Sequence, residues 1–255
     1  MANPALTKQF GKSGSTTTID GVAVAVPMGF GESTTDRMTM GGTARATGIL
    51  LAILLAAAAW GWTLASPTGA QPVWTIFVII GAFILAMVTI FRPQIAMFTA
   101  PIYTAAQGLA IGGISKAYES MWGGIVVQAV LATAAVFIVM LVLFVTRTIR
   151  VTDKVRSMVI GATLGIALFY LASLVLMLFG VNMPFVWDGG IGGILFSVLV
   201  VGIAAFNLLL DFDLIERGVA MGAPKHMDWY GAFGLMITII WLYVEILRLL
   251  GKARD

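Results

Sequence analysis

The chain has 255 residues, of which 60% are hydrophobic and only 11% are charged, with a formal net charge of +3. An average soluble domain is about 45–50% apolar and about 25% charged, so this composition is that of a membrane protein. The chain contains no cysteine and a single histidine, His226. These counts exclude disulfide frameworks and thiolate metal sites, and they leave a histidine-dependent hydrolase without its partners. No basic stripe interleaved with aromatic residues is present, so we expect no nucleic-acid partner.

Residues 1–45 differ in composition from the rest of the chain. They are rich in Gly, Ser and Thr, as in 15–18 and 29–31, and show no sustained apolar period. This composition predicts a flexible N-terminal tail. A secretory signal peptide would place its apolar region within the first ~15–30 residues. Since the first apolar block begins near Ala46, we expect the tail to be retained.

Seven hydrophobic blocks follow the tail, and each is near the ~20 residues that a helix needs to cross a bilayer. Short connections with turn residues separate the blocks and leave no room for a second folded domain. We therefore predict an all-α polytopic membrane protein in a lipid bilayer, with a transmembrane domain over 46–251 and a short C-terminal tail at 252–255. The blocks cover 46–65, 73–91, 95–115, 124–145, 158–179, 190–210 and 230–250.

Lys and Arg are unevenly distributed between the two sets of loops. Most of the 15 lie in the N-terminal tail and in the loops after the second, fourth and sixth blocks, which share one side of the membrane. Cytoplasmic loops carry an excess of such residues, so we predict a cytoplasmic N-terminus and a multi-pass location in the cell membrane. Seven spans place the basic C-terminal tail outside, against this rule. A re-entrant last block would remove the conflict, but we retain seven spans.

Gly161 and Gly165 of the fifth block have the small-xxx-small spacing that allows two helices to approach closely in lipid. We favour packing within the molecule for this pair. The alternative is a dimer interface.

Three carboxylates end the sixth block in the run 210–217, in a chain that otherwise has few charges. They belong to Asp211, Asp213 and Glu216. An ionisable group at the edge of the hydrocarbon region is costly, and its default interpretation is an ion or proton site. Asp211 lies nearest the apolar residues and is the best candidate to face the bundle. The competing interpretation is a solvated charge cluster that marks the helix end beside Arg217.

Two further charged residues lie in or beside predicted spans. Arg92 ends the second block on the same side as Asp211. It is a candidate partner of that carboxylate, or alternatively an interfacial anchor that reaches lipid phosphates. Glu245 lies deep in the last block, where a carboxylate needs a partner or water. Arg248, on the next turn, offers a local partner that would make Glu245 structural.

Four segments in order and at characteristic spacing carry a family resemblance. They are Arg92-Pro93, residues 103–113 (YTAAQGLAIGG), residues 207–217 (NLLLDFDLIER) and residues 242–251 (LYVEILRLLG). With the seven spans, they make residues 46–251 resemble the Bax inhibitor-1 family, and its actinobacterial-type members most closely. The resemblance implies a fold in which six helices surround a central seventh. It also implies an activity as a pH-sensitive calcium leak.

The resemblance further implies a switch built from two aspartates, on the sixth and seventh spans, and an arginine at the end of the second. Asp211 matches the first aspartate and Arg92 the arginine, whereas Asp213 adds a carboxylate where most members continue with a Gln-containing stretch. In the seventh span, local similarity assigns the role to Glu245. Counting back from 249–251 assigns it to Thr238. Depth favours Thr238, because Glu245 lies a further ~10 Å along the helix at 1.5 Å per residue.

Two functions from different classes remain open. The first is a pH-sensitive leak for calcium or another cation, in which Asp211 and Arg92 form a latch at the cytoplasmic mouth and Glu245 is a carboxylate within the pore. Asp211 and Asp213 together would offer a weak calcium site of hard oxygen ligands. Calcium is then the transported ion, and we expect no cofactor.

The second function is a non-transporting membrane interaction protein that regulates stress survival or a membrane protease. Its tail would be the contact surface for a membrane-protein partner, since disordered segments can fold on binding. We expect no enzymatic activity. A hydrolase needs a nucleophile and a base within reach of each other, and Lys116, the only lysine close to a span, lies on the opposite side from Asp211.

Overall fold

The computed structural model describes residues 16–19, 22–25, 37–66, 74–180 and 190–254. The chain divides into two units, Met1–Arg37 and Met38–Asp255. In the first unit, β1 (Thr16–Ile19) and β2 (Val22–Ala25) pair in antiparallel register, with Ile19 opposite Val22. Both strands contain β-branched residues, which favour extended backbone. This hairpin lies within the predicted tail, whose flexibility stays a prediction.

The described part of the second unit contains seven α-helices, and a 3₁₀ turn at Pro93–Ile95 joins the second to the third. Six candidate spans are long and apolar enough to cross a membrane, and the helix at Thr75–Phe91 is a shorter apolar one. These helices confirm the all-α class of the membrane domain. In chain order they are α1 (Met40–Leu64), α2 (Trp74–Phe91), α3 (Ala96–Met121), α4 (Ile125–Val145), α5 (Asp153–Leu178), α6 (Ile191–Ala220) and α7 (Met227–Lys252).

The first N–H groups of a helix have no partner within that helix. At several helix starts, a hydroxyl or carboxylate oxygen of a side chain accepts their hydrogen bonds. The Thr39 hydroxyl accepts a hydrogen bond from the Gly42 N–H at the start of α1, over 2.9 Å. The Glu119 carboxylate of α3 accepts from the N–H groups of Gly124 and Val126 at the start of α4, over 2.5 and 3.1 Å. A carboxylate there also complements the positive end of the helix dipole. The short α3–α4 connection is thereby held by its own sequence.

Glycines allow α1 and α3 to pack with their backbones in close contact. A Cβ added at Gly61 would lie 2.2 Å from a backbone oxygen of α3, and one at Gly112 would lie 2.0 Å from a backbone oxygen of α1. No larger residue fits there without movement of a helix. In contrast, a Cβ at Gly161 or Gly165 would meet nothing within 4 Å. The predicted intramolecular packing of that pair is therefore wrong, because its face of α5 is not turned to a neighbouring helix.

Helix α7 is the most buried of the six candidate spans. It runs as one helix of 26 residues, which fits a span rather than a re-entrant segment, and it packs against α1, α3, α4 and α6. Its fully buried side chains include Met236, Leu242 and Leu247. By comparison α5 packs mainly against α6 and leaves Leu164 and Leu168 exposed, as expected of a lipid-facing helix. The central position of α7 among all six other helices stays a prediction.

Candidate functional site

Asp211 of α6 is turned towards α7. The Thr238 hydroxyl donates a hydrogen bond to Asp211 Oδ2 over 2.5 Å and lies 3.3 Å from the backbone oxygen of Gly234. A Cβ at Gly234 would lie 3.6 Å from Asp211 Oδ1. Gly234 and Thr238 are four residues apart and share one face of α7. The carboxylate therefore sits against a small residue and a hydroxyl, in the interface between two helices.

Of the two seventh-span positions that the sequence left open, Thr238 is the one in contact with Asp211. Glu245 lies about 10 Å further along α7, and its carboxylate is engaged by other residues. At the level of Asp211, the described part of α7 therefore contributes a neutral hydroxyl where the resemblance implied a second carboxylate. A role for either residue in a switch stays a prediction.

Glu245 belongs to a buried polar cluster that joins α7 to α5, here called the Glu245 cluster. The carboxylate is 1% exposed and accepts hydrogen bonds from Tyr170 OH over 3.0 Å, Arg248 Nη1 over 3.2 Å and Trp241 Nε1 over 3.3 Å. Arg248 also donates to Tyr170 OH over 2.7 Å, and its guanidinium lies 5.1 Å from the centre of the Tyr170 ring. A buried carboxylate needs such compensation. Arg248 is thus the local partner of Glu245 that the sequence analysis suggested.

Sequence reasoning missed Tyr170. A phenol within an apolar block is a visible signal, because its hydroxyl needs a partner when buried. Nothing in the sequence, however, pairs position 170 with position 245, which lies 75 residues away.

Asp213 and Glu216 belong to an ion-pair network at the end of α6. Asp213 pairs with Arg156 of α5 and with Arg217, whose Nε lies 2.9 Å away. Glu216 accepts two hydrogen bonds from Arg147 in the loop after α4, one of them over 2.9 Å. These hydrogen bonds raise the pKa of Arg147 above its ordinary value. The arrangement fits the charge-cluster interpretation for Glu216, whereas Asp213 is buried and compensated by its two arginines, and Asp211 stands apart from both.

Arg92 is exposed at the end of α2 and, within the described ranges, makes no ion pair with Asp211. It borders a shallow depression of about 280 Å³ whose other lining residues are apolar side chains of α2. These surroundings fit the interpretation of Arg92 as an interfacial anchor. A latch between Arg92 and Asp211 therefore requires a conformation other than this one.

The two carboxylates of the predicted calcium site have different neighbours. Asp211 contacts Thr238, whereas Asp213 is neutralised by two guanidinium groups. In the part of the chain that the structure describes, no group of three or more His, Cys, Asp or Glu side chains is arranged to hold a metal ion. The geometry does not favour a shared site on Asp211 and Asp213. Calcium as a transported ion stays a prediction.

Asp228 is a buried carboxylate that sequence reasoning did not single out. It is 2% exposed and accepts hydrogen bonds from the Thr39 N–H over 2.9 Å and the Thr43 hydroxyl over 3.3 Å. Lys225 Nζ lies 2.8 Å from its other oxygen. Asp228 stands in the first turn of α7 and faces the start of α1, where the helix dipole favours an anion. It ties the two helices together at one end of the bundle.

The other end of α7 is also anchored. Lys252 is the last residue of the helix and is buried, although the sequence analysis assigned it to the C-terminal tail. Its ammonium donates hydrogen bonds to the Gly193 backbone oxygen over 3.2 Å and to the Ser197 hydroxyl over 3.1 Å. Lysine at the C-terminal end of a helix also complements the dipole. The first two turns of α6 therefore hold the end of α7.

A bundle of apolar helices, with its few charges gathered at helix ends and between helices, defines a polytopic integral membrane protein. A family model described as "Bax inhibitor 1 like" matches residues 3–255, so the chain belongs to this family. This match confirms the resemblance seen in the sequence, and it supports a multi-pass membrane location. The comparison with curated proteins and that with solved structures found no match. The cytoplasmic position of the N-terminus stays a prediction.

Proposed function

We propose that this protein is a pH-sensitive leak for calcium or another cation, in which the contact between Asp211 and Thr238 holds α6 and α7 together in the closed state. The observation that carries the proposal is the 2.5 Å hydrogen bond between these two side chains. A carboxylate in an interhelical interface of a membrane protein is by default a functional group. Membership of the Bax inhibitor 1 like family supports the same class of activity.

The pH dependence in this proposal follows from hydrogen-bond strength. A hydroxyl bonds more strongly to an ionised carboxylate than to a neutral one. Ionised Asp211 therefore holds Thr238 and α7 more tightly than protonated Asp211 does. Because Thr238 does not titrate, the proposed pH-sensitive contact contains one acid rather than two. The second conformation, in which Arg92 reaches Asp211, belongs to the same proposal.

In the closed state, the Glu245 cluster is the second position at which α7 is held. Its carboxylate is paired with Arg248 and bonded to Tyr170 of α5, so the charge that a cation would meet there is already compensated. In the proposal, α7 is the central moving helix. It is held by Asp211 at one level and by α5 at the other.

The experiment is calcium flux into proteoliposomes that contain the purified full chain, between about pH 6 and 8. We expect flux that depends on pH in the unaltered protein. Asp211→Asn should change the rate and flatten the pH profile, and Thr238→Val should raise the rate. Glu216→Gln is the matched control, since it makes the same chemical change on α6 in the exposed network, and it should leave the profile unchanged.

No flux from the unaltered protein, or an unchanged profile for Asp211→Asn, would contradict the proposal. Deletion of residues 1–44 separates it from the interaction-protein alternative. A leak should survive the deletion, whereas recruitment of a membrane-protein partner through the tail should be lost.

A further inference from the structure

A depression of about 350 Å³ opens at the end of α4 and α6, beside the ion-pair network. The depression is open to its surroundings rather than enclosed, so it can hold only a small polar group at the protein surface and not a fully buried ligand. Its wall is half charged and half apolar. The lining residues are Phe144, Arg147, Ile149, Arg150, Val151 and Asp213.

The charge around this depression is positive. The two carboxylates, Asp213 and Glu216, are already paired by Arg147, Arg156 and Arg217. Arg150 is exposed on the wall and, among the ion pairs formed within the described ranges, has no carboxylate partner. Four arginines therefore face two acids. An anion that enters the depression meets uncompensated positive charge.

The loop that carries these arginines has an unusual backbone. Arg147 has φ 57, in the left-handed region, which non-glycine residues seldom adopt. The Thr146 and Thr148 hydroxyls lie 2.8 Å apart. This tight turn directs the Arg147 guanidinium to Glu216 and leaves Arg150 at the rim. Strain of this kind is a reason to look for function at the loop.

Apolar side chains next to the network are exposed, which places the charges at the boundary of the hydrocarbon region. Val145 is 69% exposed, Met158 68% and Leu214 50%. Each lies within two residues of a member of the network, on α4, α5 and α6 respectively. In a membrane-spanning bundle, such side chains contact lipid tails, and the charged groups beside them lie at the level of the headgroups.

We propose that this depression binds the phosphate of an anionic phospholipid, with Arg150 as the donor and the charge of Arg147, which stays paired with Glu216, beside it. The arginine fork matches phosphate oxygens better than a lysine ammonium does. Ile149 and Val151, which are half-buried, receive the glycerol and the first carbons of the lipid, whereas Phe144 is buried against Phe212 and only completes the wall. A free phosphate would use the guanidinium but would leave the accessible parts of Ile149 and Val151 uncovered, so the lining favours the lipid.

The experiment measures lipid retained by the purified full chain. The protein is reconstituted in nanodiscs of phosphatidylcholine with a minor fraction of phosphatidylglycerol and then released for native mass spectrometry. We expect phosphatidylglycerol to be retained in preference to phosphatidylcholine. Arg150→Gln should reduce that retention several-fold, and Arg150→Lys should reduce it less. The control is Lys154→Gln, which removes the same charge from an exposed residue that does not line the depression, and it should bind as the unaltered protein does.

Three outcomes would overturn the proposal. The first is equal retention of the two lipids, and the second is Arg150→Gln with unchanged retention. The third is an equal loss in the Arg150 and Lys154 variants, which means general attraction of a basic loop rather than a site. A competition experiment distinguishes the phosphate of a lipid from a phosphate in solution. Glycerol phosphate in solution should fail to displace the lipid at concentrations comparable to it, and full displacement would identify a soluble ligand instead.

Discussion

The Thr238 hydroxyl of α7 donates a hydrogen bond to the Asp211 carboxylate of α6 over 2.5 Å. Thr238 thus occupies the place opposite Asp211 where the family resemblance implied an acid. One carboxylate and one hydroxyl cannot repel each other as two carboxylates do. In this chain, the contact between α6 and α7 at this level is attractive, and it persists as long as the Asp211 carboxylate accepts the hydrogen bond from Thr238.

Replacement of Thr238 by Val removes the donor with little change of shape. We expect the free energy of unfolding in detergent to fall by about 1–3 kcal/mol, because the partly buried carboxylate loses its hydrogen bond. The double variant Asp211→Asn/Thr238→Val tests whether the two side chains act together. A coupling energy of about 0.5–3 kcal/mol is expected for residues in contact. Strictly additive effects would show that the contact contributes nothing.

Glu245→Gln should be among the most destabilising substitutions in the membrane domain. Arg248 then loses a buried counter-charge, and breaking a buried pair costs about 3–5 kcal/mol. Tyr170→Phe removes only a hydroxyl bonded to charged groups, so about 1.5–3 kcal/mol is expected. Denaturant titration in detergent gives both values. Glu216→Gln at the exposed network serves as the comparison and should change stability little. A cost for Glu245→Gln no larger than for that control would refute the structural role.

Two glycine substitutions with identical chemistry should have opposite effects. Gly112→Ala forces a Cβ towards a backbone oxygen of α1 that would lie 2.0 Å away, and overpacking of this kind costs about 1–3 kcal/mol or more. Gly165→Ala meets nothing within 4 Å and should stabilise α5 by up to about 1 kcal/mol through helix propensity. Thermal unfolding of the two variants compares them directly. If Gly165→Ala also lowers stability, its face of α5 packs against another molecule.

Two substitutions of Arg147 distinguish the effect of backbone strain from the effect of its charge. Arg147→Gly and Arg147→Ala both remove the pair with Glu216, but only glycine adopts φ 57 without strain. The glycine variant should therefore unfold a few degrees higher than the alanine variant. Differential scanning of the two proteins in the same detergent measures the difference. Equal midpoints would indicate that the loop relaxes when the arginine is removed.

Much of the fold was readable from the sequence because a bilayer imposes simple rules. Every backbone polar group must be satisfied within the span, so the apolar blocks at 124–145 and 230–250 had to be helices, and most of the charged residues had to lie near the ends of the blocks. The order and spacing of the four segments at 92–93, 103–113, 207–217 and 242–251, together with the seven apolar blocks, also indicated the family, which the match over residues 3–255 confirmed.

The partners of those residues were not readable, because they depend on which faces of the helices meet. Gly108 and Gly112 of α3 have the same spacing as Gly161 and Gly165 of α5, yet of these two pairs it is the α3 pair that approaches the backbone of another described helix. Tyr170 and Glu245 are joined across 75 residues of sequence, and Arg92 is exposed at the end of α2 and makes no ion pair with Asp211 within the described residues.

The sequence by itself determined that this is a helical membrane protein of the Bax inhibitor 1 like family, and it singled out Asp211 as the acid nearest the apolar residues of the sixth block. The tertiary structure decided what that acid meets. Periodicity defines a face of each helix, but the rotation and depth at which two faces pack arise from close contacts along their whole length. Those contacts placed Thr238 opposite Asp211, and they placed Glu245 with Arg248 and Tyr170.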